Sequence, residues 1–139
     1  MDPAGDIRTL IAKLAQLADV GQVDDYVALF MPDAVWAMPA IPQSGLAPSE
    51  RRGIDEIAAG VRERRAAGVQ GPGTNTAHVV TTISVDMDGD DAAVATSTWM
   101  FIADTASPAP RLQGFGRYRD TVVRTGGGWK LARREITLG

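Results

Sequence analysis

The sequence predicts an α+β fold in which three helices come first and a strongly curved, mostly antiparallel sheet follows. Apolar residues recur with the helical period in the first half of the chain. The second half instead holds long apolar runs of strand character, separated by turns that are rich in Asp and Gly. The length of 139 residues, with 45% hydrophobic and 22% charged residues, is typical of a single globular domain over residues 1–139.

The first two helices are predicted by the spacing of their apolar residues. In the first helix these residues follow the i, i+3, i+4, i+7 pattern, and Asp6 lies near its start. They are Ile7, Leu10, Ile11, Leu14, Leu17 and Ala18. The helix is predicted to end around residues 19–21. A second, short helix is predicted over QVDDYVALF, residues 22–30, with Pro32 stopping it.

A strand, a loop and a third helix follow. The stretch DAVWAMP, residues 33–39, indicates a short strand that would join the edge of the sheet. Residues 41–53 combine Pro, Gly and Ser without periodicity, which predicts a loop and a candidate lid. The helical period returns over residues 54–68, with acidic residues in the first turn and arginines in the last. Its arginine-rich run VRERRAAG is expected to lie mostly on a solvated face.

Four long strands are predicted for the rest of the chain. They cover residues 75–87, 92–104, 111–124 and 129–138, and the stretches DGDD and TGGG form hairpin turns. Apolar groups on both faces of these strands indicate a sheet that is buried on both sides. One face would meet the helices and the other a partner subunit, so we expect a homo-oligomer, either a dimer or a trimer.

Charge and composition exclude several classes of function. The net charge of −3 provides no broad basic field that would neutralise phosphates, so we expect no nucleic-acid partner. The chain has no cysteine and one histidine, His78, which removes thiolate chemistry and the usual zinc sites; we expect neither a metal nor another cofactor. Because no leader pattern and no bilayer-length apolar run occurs, we expect a cytoplasmic protein that binds no membrane.

Two stretches carry a resemblance to a known family. LADVGQVDDYVALFMPDAVW, residues 17–36, and GRYRDTVVRTGGGWKLARREI, residues 116–136, stand in the same order of helices and strands as in that family. The chain thereby resembles the SnoaL-like branch of the nuclear transport factor 2-like superfamily. The resemblance implies a cone-shaped α+β barrel, with a curved sheet wrapped around helices and a deep apolar pocket inside. That fold hosts many unrelated functions, so it does not by itself determine the activity.

The resemblance also implies a catalytic pair. Scytalone dehydratase and hexachlorocyclohexane dehydrochlorinase place an Asp at the end of the first helix and a His on the first long strand. Those places here hold Asp19 and His78, and Trp36 matches a pocket tryptophan of the dehydrochlorinase. Their helper residues are absent, because Leu14 replaces the dehydrochlorinase lysine and Ala18 replaces the scytalone dehydratase tyrosine.

Two other relatives fit less well. Ketosteroid isomerase needs a carboxylate base in the early strand, where this sequence has Met38. Limonene epoxide hydrolase relies on an Asp-Arg-Asp set on the sheet, where the stretch STWMF offers apolar and hydroxyl side chains. Neither of these activities is therefore predicted.

An Asp–His dyad in an apolar cavity suits the abstraction of a proton from carbon. An imidazole accepts and returns protons near neutral pH, and a carboxylate on its other nitrogen fixes the tautomer and stabilises the imidazolium. Loss of water or halide, or a shift of a double bond, would follow. For donors to a developing oxyanion, strand alternation favours Thr76 and Thr82 over Tyr26 and Tyr118, because both threonines share a predicted face with His78.

These observations lead to one hypothesis and two alternatives. The hypothesis is a cofactor-independent, dehydratase-like lyase or isomerase that acts on a small apolar, polycyclic or aromatic molecule. The catalytic residues would be Asp19 and His78, and the substrate-binding residues Trp36, Met38, Tyr26, Val80, Trp99 and Phe101. One alternative is a non-catalytic binding or assembly module in which His78 is structural. The other is a small subunit of a ring-hydroxylating dioxygenase. Asp120 is expected to pair with Arg133 or Arg134 across strands.

Overall fold

A computed structural model describes residues 2–40 and 47–139 of the chain. Within these residues the helices are α1 (Pro3–Val20), α2 (Val23–Val27) and α3 (Gly53–Ala66). The strands are β1 (Phe30–Met38), β2 (Ser49–Arg52), β3 (Ala77–Asp88), β4 (Ala92–Ala103), β5 (Arg111–Thr125) and β6 (Gly128–Leu138). They form one curved, unclosed sheet in the order β2-β1-β6-β5-β4-β3, where β1 and β6 are parallel and the other neighbours antiparallel. The predicted α+β class is confirmed.

Helix α1 begins four residues before the first residue of its apolar pattern. The side chain of Asp2 accepts a hydrogen bond from the backbone N–H of Gly5 at 3.0 Å, and Pro3 occupies the first turn. Both features favour a helix start, because an N-cap carboxylate satisfies a free N–H and proline has none to lose. The predicted stripe is buried at Ile7, Leu10, Ile11, Leu14 and Ala18.

The predicted end of the second helix was wrong. Helix α2 has only five residues, and Pro32 lies inside β1 rather than at a helix terminus. The pairing of β1 with β6 shifts register between Phe30 and Val35, and Pro32 falls within that irregularity. A proline is tolerated there because no regular ladder hydrogen bond requires its missing N–H.

The predicted loop contains a strand, and β1 does not form the sheet edge. Residues 49–52 form β2, which pairs with β1 and takes the edge position. The sequence SERR shows no apolar alternation because edge strands commonly carry charged side chains. Arg52 and Glu50 form an ion pair at 2.8 Å on this strand. Residues 41–46 of the candidate lid lie outside the described residues.

The four-stranded meander is confirmed, but β3 contains a bulge. The register with β4 shifts between Thr81 and Ser84, and Thr82 adopts a positive φ of 50°. The hydroxyl of Thr82 is exposed and donates to the Thr98 hydroxyl at 2.7 Å. Because a bulge resets the alternation of side chains, the prediction that Thr82 shares a face with His78 was wrong.

The buried apolar residues form two clusters. The larger one joins the three helices to the sheet and includes Phe30, which is 1% exposed. The smaller one consists of Trp99, Tyr118 and Ile136, with Trp36, Met38, Val80 and Phe101 packed against it. Trp36 and Val80 contact both clusters. Within the described residues, none of the helices is long and apolar enough to cross a bilayer.

Candidate active site

Asp19 and His78 meet where the end of α1 packs against the start of β3. The Oδ1 atom of Asp19 lies 2.7 Å from Nδ1 of His78, and Oδ2 accepts the backbone N–H of His78 at 2.9 Å. Their side chains are only 12% and 15% exposed, respectively. The carboxylate therefore fixes both the ring and the strand, and it favours the tautomer in which Nδ1 carries the proton.

This tautomer leaves Nε2 of His78 as the hydrogen-bond acceptor. Within the part of the chain that the structure describes, Nε2 has no hydrogen-bond partner. The imidazole ring packs against the ring of Phe101, with a centroid distance of 4.8 Å and an interplanar angle of 57°. The ring is thus held by packing on one side and by Asp19 on the other, with Nε2 available for a proton.

Arg65 of α3 binds the end of α1 beside Asp19. Its guanidinium donates to the carbonyl oxygens of Gly21 at 2.9 Å, Leu17 at 3.1 Å and Ala18 at 3.2 Å. Helix α1 has no basic residue in its own last turn, so Arg65 supplies the positive charge that a helix C-terminus favours. The expectation that the VRERRAAG run is mostly solvated was wrong at this position, because α3 packs beside the end of α1.

The predicted substrate-binding residues lie mostly together. Trp36, Met38, Val80, Trp99 and Phe101 all belong to the smaller cluster. Tyr26 belongs to the larger one and packs on Phe30 with a centroid distance of 5.1 Å. The indole of Trp99 lies over Gly114 and Gly116 of β5, where missing side chains leave room for it. Binding by these residues remains a prediction.

A buried ion pair lies under this cluster. Arg134 donates to Asp120 through Nε at 2.8 Å and Nη2 at 2.9 Å, and the two side chains are 5% and 0% exposed. The Arg134 guanidinium also lies 3.8 Å from the centroid of the Tyr118 ring. Of the two predicted partners of Asp120, Arg134 is therefore the one observed, whereas Arg133 pairs with Glu135 at 2.9 Å. The burial of Asp120 could be predicted in part from strand alternation, because the apolar residues Tyr118 and Val122 lie two positions to either side of it.

Comparison with known proteins identifies the family. A sequence model of the SnoaL-like domain matches residues 4–135. The chain belongs to the SnoaL-like family. No curated protein matches this SnoaL-like domain.

Solved structures share its fold. An NTF2-like protein with a cystatin-like fold from Novosphingobium aromaticivorans has 27% identity and a TM-score of 0.78, covering 96% of this chain and 80% of that chain. A candidate scytalone dehydratase from the same organism has 23% identity and a TM-score of 0.72, covering 96% and 81%. The beta subunit of a candidate aromatic-ring-hydroxylating dioxygenase, also from that organism, has 17% identity and a TM-score of 0.74, covering 97% and 88%. The predicted superfamily is confirmed.

The two tyrosines of the SnoaL-like domain have buried hydroxyl groups that can act as donors. Burial raises the pKa of Tyr118 to about 12, against the opposing charge of Arg134, and burial also raises the pKa of Tyr26. Within the described residues neither hydroxyl has a hydrogen-bond partner, whereas Thr76 contacts the Thr74 hydroxyl at 2.8 Å. Both tyrosines are therefore neutral donors at physiological pH. Thr82 points away from the dyad, and the choice between Thr76 and the tyrosines stays a prediction.

These shifts predict that tyrosine ionisation in the folded domain requires strongly alkaline pH. The chain has two tyrosines, and a free tyrosine ionises near pH ~10. Because the pKa of Tyr118 is raised in the folded state, its contribution to stability is complete below pH ~10 and is lost between pH ~10 and ~12, a loss on the order of 3 kcal/mol. Tyrosinate absorbance, recorded together with circular dichroism, measures this. Tyr118→Phe should reduce the loss, whereas half-complete ionisation at pH ~10 in the folded state would contradict the prediction.

Two surface depressions of the SnoaL-like domain lie away from this site. One is lined by Pro3, Met87, Asp90 and Arg124, and the other by Pro32 and residues 52–56. Neither includes a predicted site residue. Within residues 2–40 and 47–139, no group of three or more His, Asp or Glu side chains could hold a metal ion. The candidate site consists of the dyad and the smaller apolar cluster.

Proposed function

We propose that this SnoaL-like domain is a cofactor-independent lyase or isomerase. It removes a proton from carbon in a small, largely apolar ring compound, with His78 as general base and Asp19 as its orienting partner. The observation that carries the proposal is the 2.7 Å contact between Asp19 Oδ1 and His78 Nδ1, which directs the unpartnered Nε2 away from the carboxylate. This is the arrangement in which a carboxylate stabilises the imidazolium that forms.

The reaction follows from these groups. Nε2 of His78 takes the proton, and the electron pair of the broken C–H bond passes into an adjacent carbonyl or conjugated system. Tyr26 or Tyr118 donates a hydrogen bond to the oxygen on which negative charge develops. In a dehydration, the electron pair then expels hydroxide. This hydroxide takes the proton from His78 and leaves as water. In an isomerisation, His78 returns that proton to a different carbon.

The apolar cluster and one structural relative support this reaction class. Trp36, Trp99 and Phe101 offer flat apolar surfaces that suit a ring compound. Dehydration is also the chemistry named for the candidate scytalone dehydratase that shares the fold. We further propose that the chain acts as a single domain, in the cytoplasm, as a homo-oligomer, and without nucleic-acid or membrane partners.

Hydrogen–deuterium exchange tests the proposal without knowledge of the product. The protein is incubated in deuterated water with hydroxylated and halogenated ring compounds, and deuterium at carbon and released water or halide are measured by NMR. We expect His78→Ala to lower the rate by about 10²–10⁴-fold, because general base catalysis contributes that much. Asp19→Asn should also lower it, because the amide favours the wrong tautomer.

Thr82→Ala is the matched control on the same strand. Thr82 is exposed and bonds outward to Thr98, so the exchange rate should not change. Equal rates in wild type and His78→Ala, or binding without exchange, would favour a non-catalytic binding module. In that case the Asp19 contact with the backbone N–H of His78, at 2.9 Å, would serve only to join α1 to β3. A dioxygenase small subunit would likewise show no exchange.

A further inference from the structure

Arg64 stands on the last turn of α3 and lies against Trp36. Its Cζ atom is 4.8 Å from the centroid of the Trp36 ring, a distance at which a cation is attracted to the face of an indole. Gly60, one turn earlier, makes room for the side chain. A Cβ atom there would lie 3.2 Å from Nη1 of Arg64 and 3.4 Å from Nε of Arg51.

Among the described residues Arg64 forms no ion pair, although the charge of the nearby Glu63 favours its protonated form. Its neighbours on α3 do have partners, since Arg62 contacts Asp24 at 3.5 Å and Arg65 binds the end of α1. Arg51 forms an ion pair with the nearby Glu63 at 2.7 Å. Among the arginines of residues 2–40 and 47–139, Arg64 is the only one that is partly buried and has neither a hydrogen bond nor a carboxylate.

Arg64 faces the same region as the dyad. Trp36 packs on the cluster of Trp99 and Tyr118, and Phe101 of that cluster contacts the ring of His78. Tyr118 of the same cluster interacts electrostatically with Asp19 and with Arg64. A ligand on the indole of Trp36 would therefore lie within the proposed site.

Desolvation of this cation is only partly compensated. Burial is the largest cause that lowers the pKa of Arg64, and the positive charge of Arg51 lowers it further, whereas Tyr26, Glu63 and Tyr118 raise it without reversing the shift. An arginine stays protonated at neutral pH even so. A bound carboxylate would compensate the desolvation, because the guanidinium presents two parallel N–H donors that match two carboxylate oxygens.

We infer that Arg64 is a specificity residue that binds the carboxylate of an aromatic acid, whose ring stacks beside Trp36. The inference rests on the proposed function for the statement that this ligand is the substrate. It narrows the substrate class from apolar ring compounds to those that carry a carboxylate at the edge of the ring. The carboxylate-binding site itself is independent of any proton transfer by His78.

Two nearly isosteric ligands test the inference. 2-Naphthoate is anionic at neutral pH and 2-naphthamide is neutral, and their affinities for the purified protein are measured by calorimetry. We expect wild type to prefer 2-naphthoate by about 10–100-fold, since a hydrogen bond to a charged group contributes that much. In Arg64→Gln the preference should disappear, and in Arg64→Lys part of it should remain because the charge is kept.

The controls separate the two proposals. Arg62→Gln removes an exposed arginine from the same helix and should keep the full preference. His78→Ala should also keep the preference for 2-naphthoate. A finding that His78 is not catalytic would therefore overturn the proposed function but not this inference. Failure of wild type to bind 2-naphthoate, equal affinities for both ligands, or a preference that survives Arg64→Gln would each overturn the inference.

Discussion

Asp120→Ala is expected to lower the free energy of unfolding by about 3–5 kcal/mol, the usual result of breaking a buried ion pair. Asp120 is fully buried and binds Arg134 through two hydrogen bonds, at 2.8 and 2.9 Å. Its removal would leave a guanidinium enclosed against the Tyr118 ring without an anion. Urea denaturation, followed by tryptophan fluorescence, measures the change provided that the m-value is unaltered.

An exposed ion pair provides the matched control. Asp104 and Arg111 are 3.3 Å apart, with side chains 57% and 59% exposed, so Arg111→Ala should change stability by no more than about 1 kcal/mol. The double variant Asp120→Leu with Arg134→Met should recover much of the loss, because apolar replacement of both partners removes the unpaired charge. A loss from Asp120→Ala no larger than that from Arg111→Ala would contradict the prediction.

Gly116→Ala is expected to lower the free energy of unfolding by about 3 kcal/mol, at the upper end of the range for overpacked cores. A Cβ atom at Gly116 would overlap the backbone carbonyl oxygen of Thr137 on β6 and would lie 2.6 Å from Cζ2 of Trp99. No side-chain rotation relieves a contact with backbone, so β5 and β6 must separate or the indole must move. Denaturation in urea and a shift in tryptophan emission would report both effects.

Gly126→Ala is the control for this substitution. A Cβ atom at Gly126 would meet nothing within 4 Å, so the change should be neutral or stabilising by up to about 1 kcal/mol. Equal stability of Gly116→Ala and wild type would show that β5 and β6 adjust freely. Since Trp99 is a proposed binding residue, Gly116→Ala should also weaken the binding of aromatic ligands.

The Asp120–Arg134 ion pair and Gly116 of β5 together support the geometry of the candidate site. The Arg134 guanidinium, held by Asp120, packs on the Tyr118 ring, and the Trp99 indole packs against Gly116. A site that must orient an apolar ring gains from such rigid support, because binding then requires little reorganisation. Substitutions at these supporting residues are therefore expected to affect both stability and ligand binding.

Much of the fold could be predicted from local patterns. The burial of Ile7, Leu10 and Leu14 follows from the helical period, and the hairpin at Gly126 follows from its glycine-rich turn. These features depend on residues that are neighbours in sequence. The selection of Asp19 and His78 came from resemblance to a family, and their chemical role stays a prediction.

Other features were decided only by contacts between distant elements. Periodicity tells which side chains share a face, but it does not tell which element that face meets. The sequence thus predicted Arg64 and Arg65 to be solvated. The packing of α3 instead places Arg64 on Trp36 and Arg65 on the end of α1. Likewise, the bulge at Thr82 reset the alternation of β3, which local sequence did not reveal.

The sequence by itself determined the order of the three helices and of every strand except β2, together with the α1 core stripe, the hairpin turns and the absence of thiol chemistry. The tertiary structure alone decided that Asp19 reaches His78, that Asp120 binds Arg134 and that β2 forms the edge. The physical reason is that each of these contacts joins residues far apart in the chain. Their distances depend on how the curved sheet brings its strands and helices together, which no local pattern encodes.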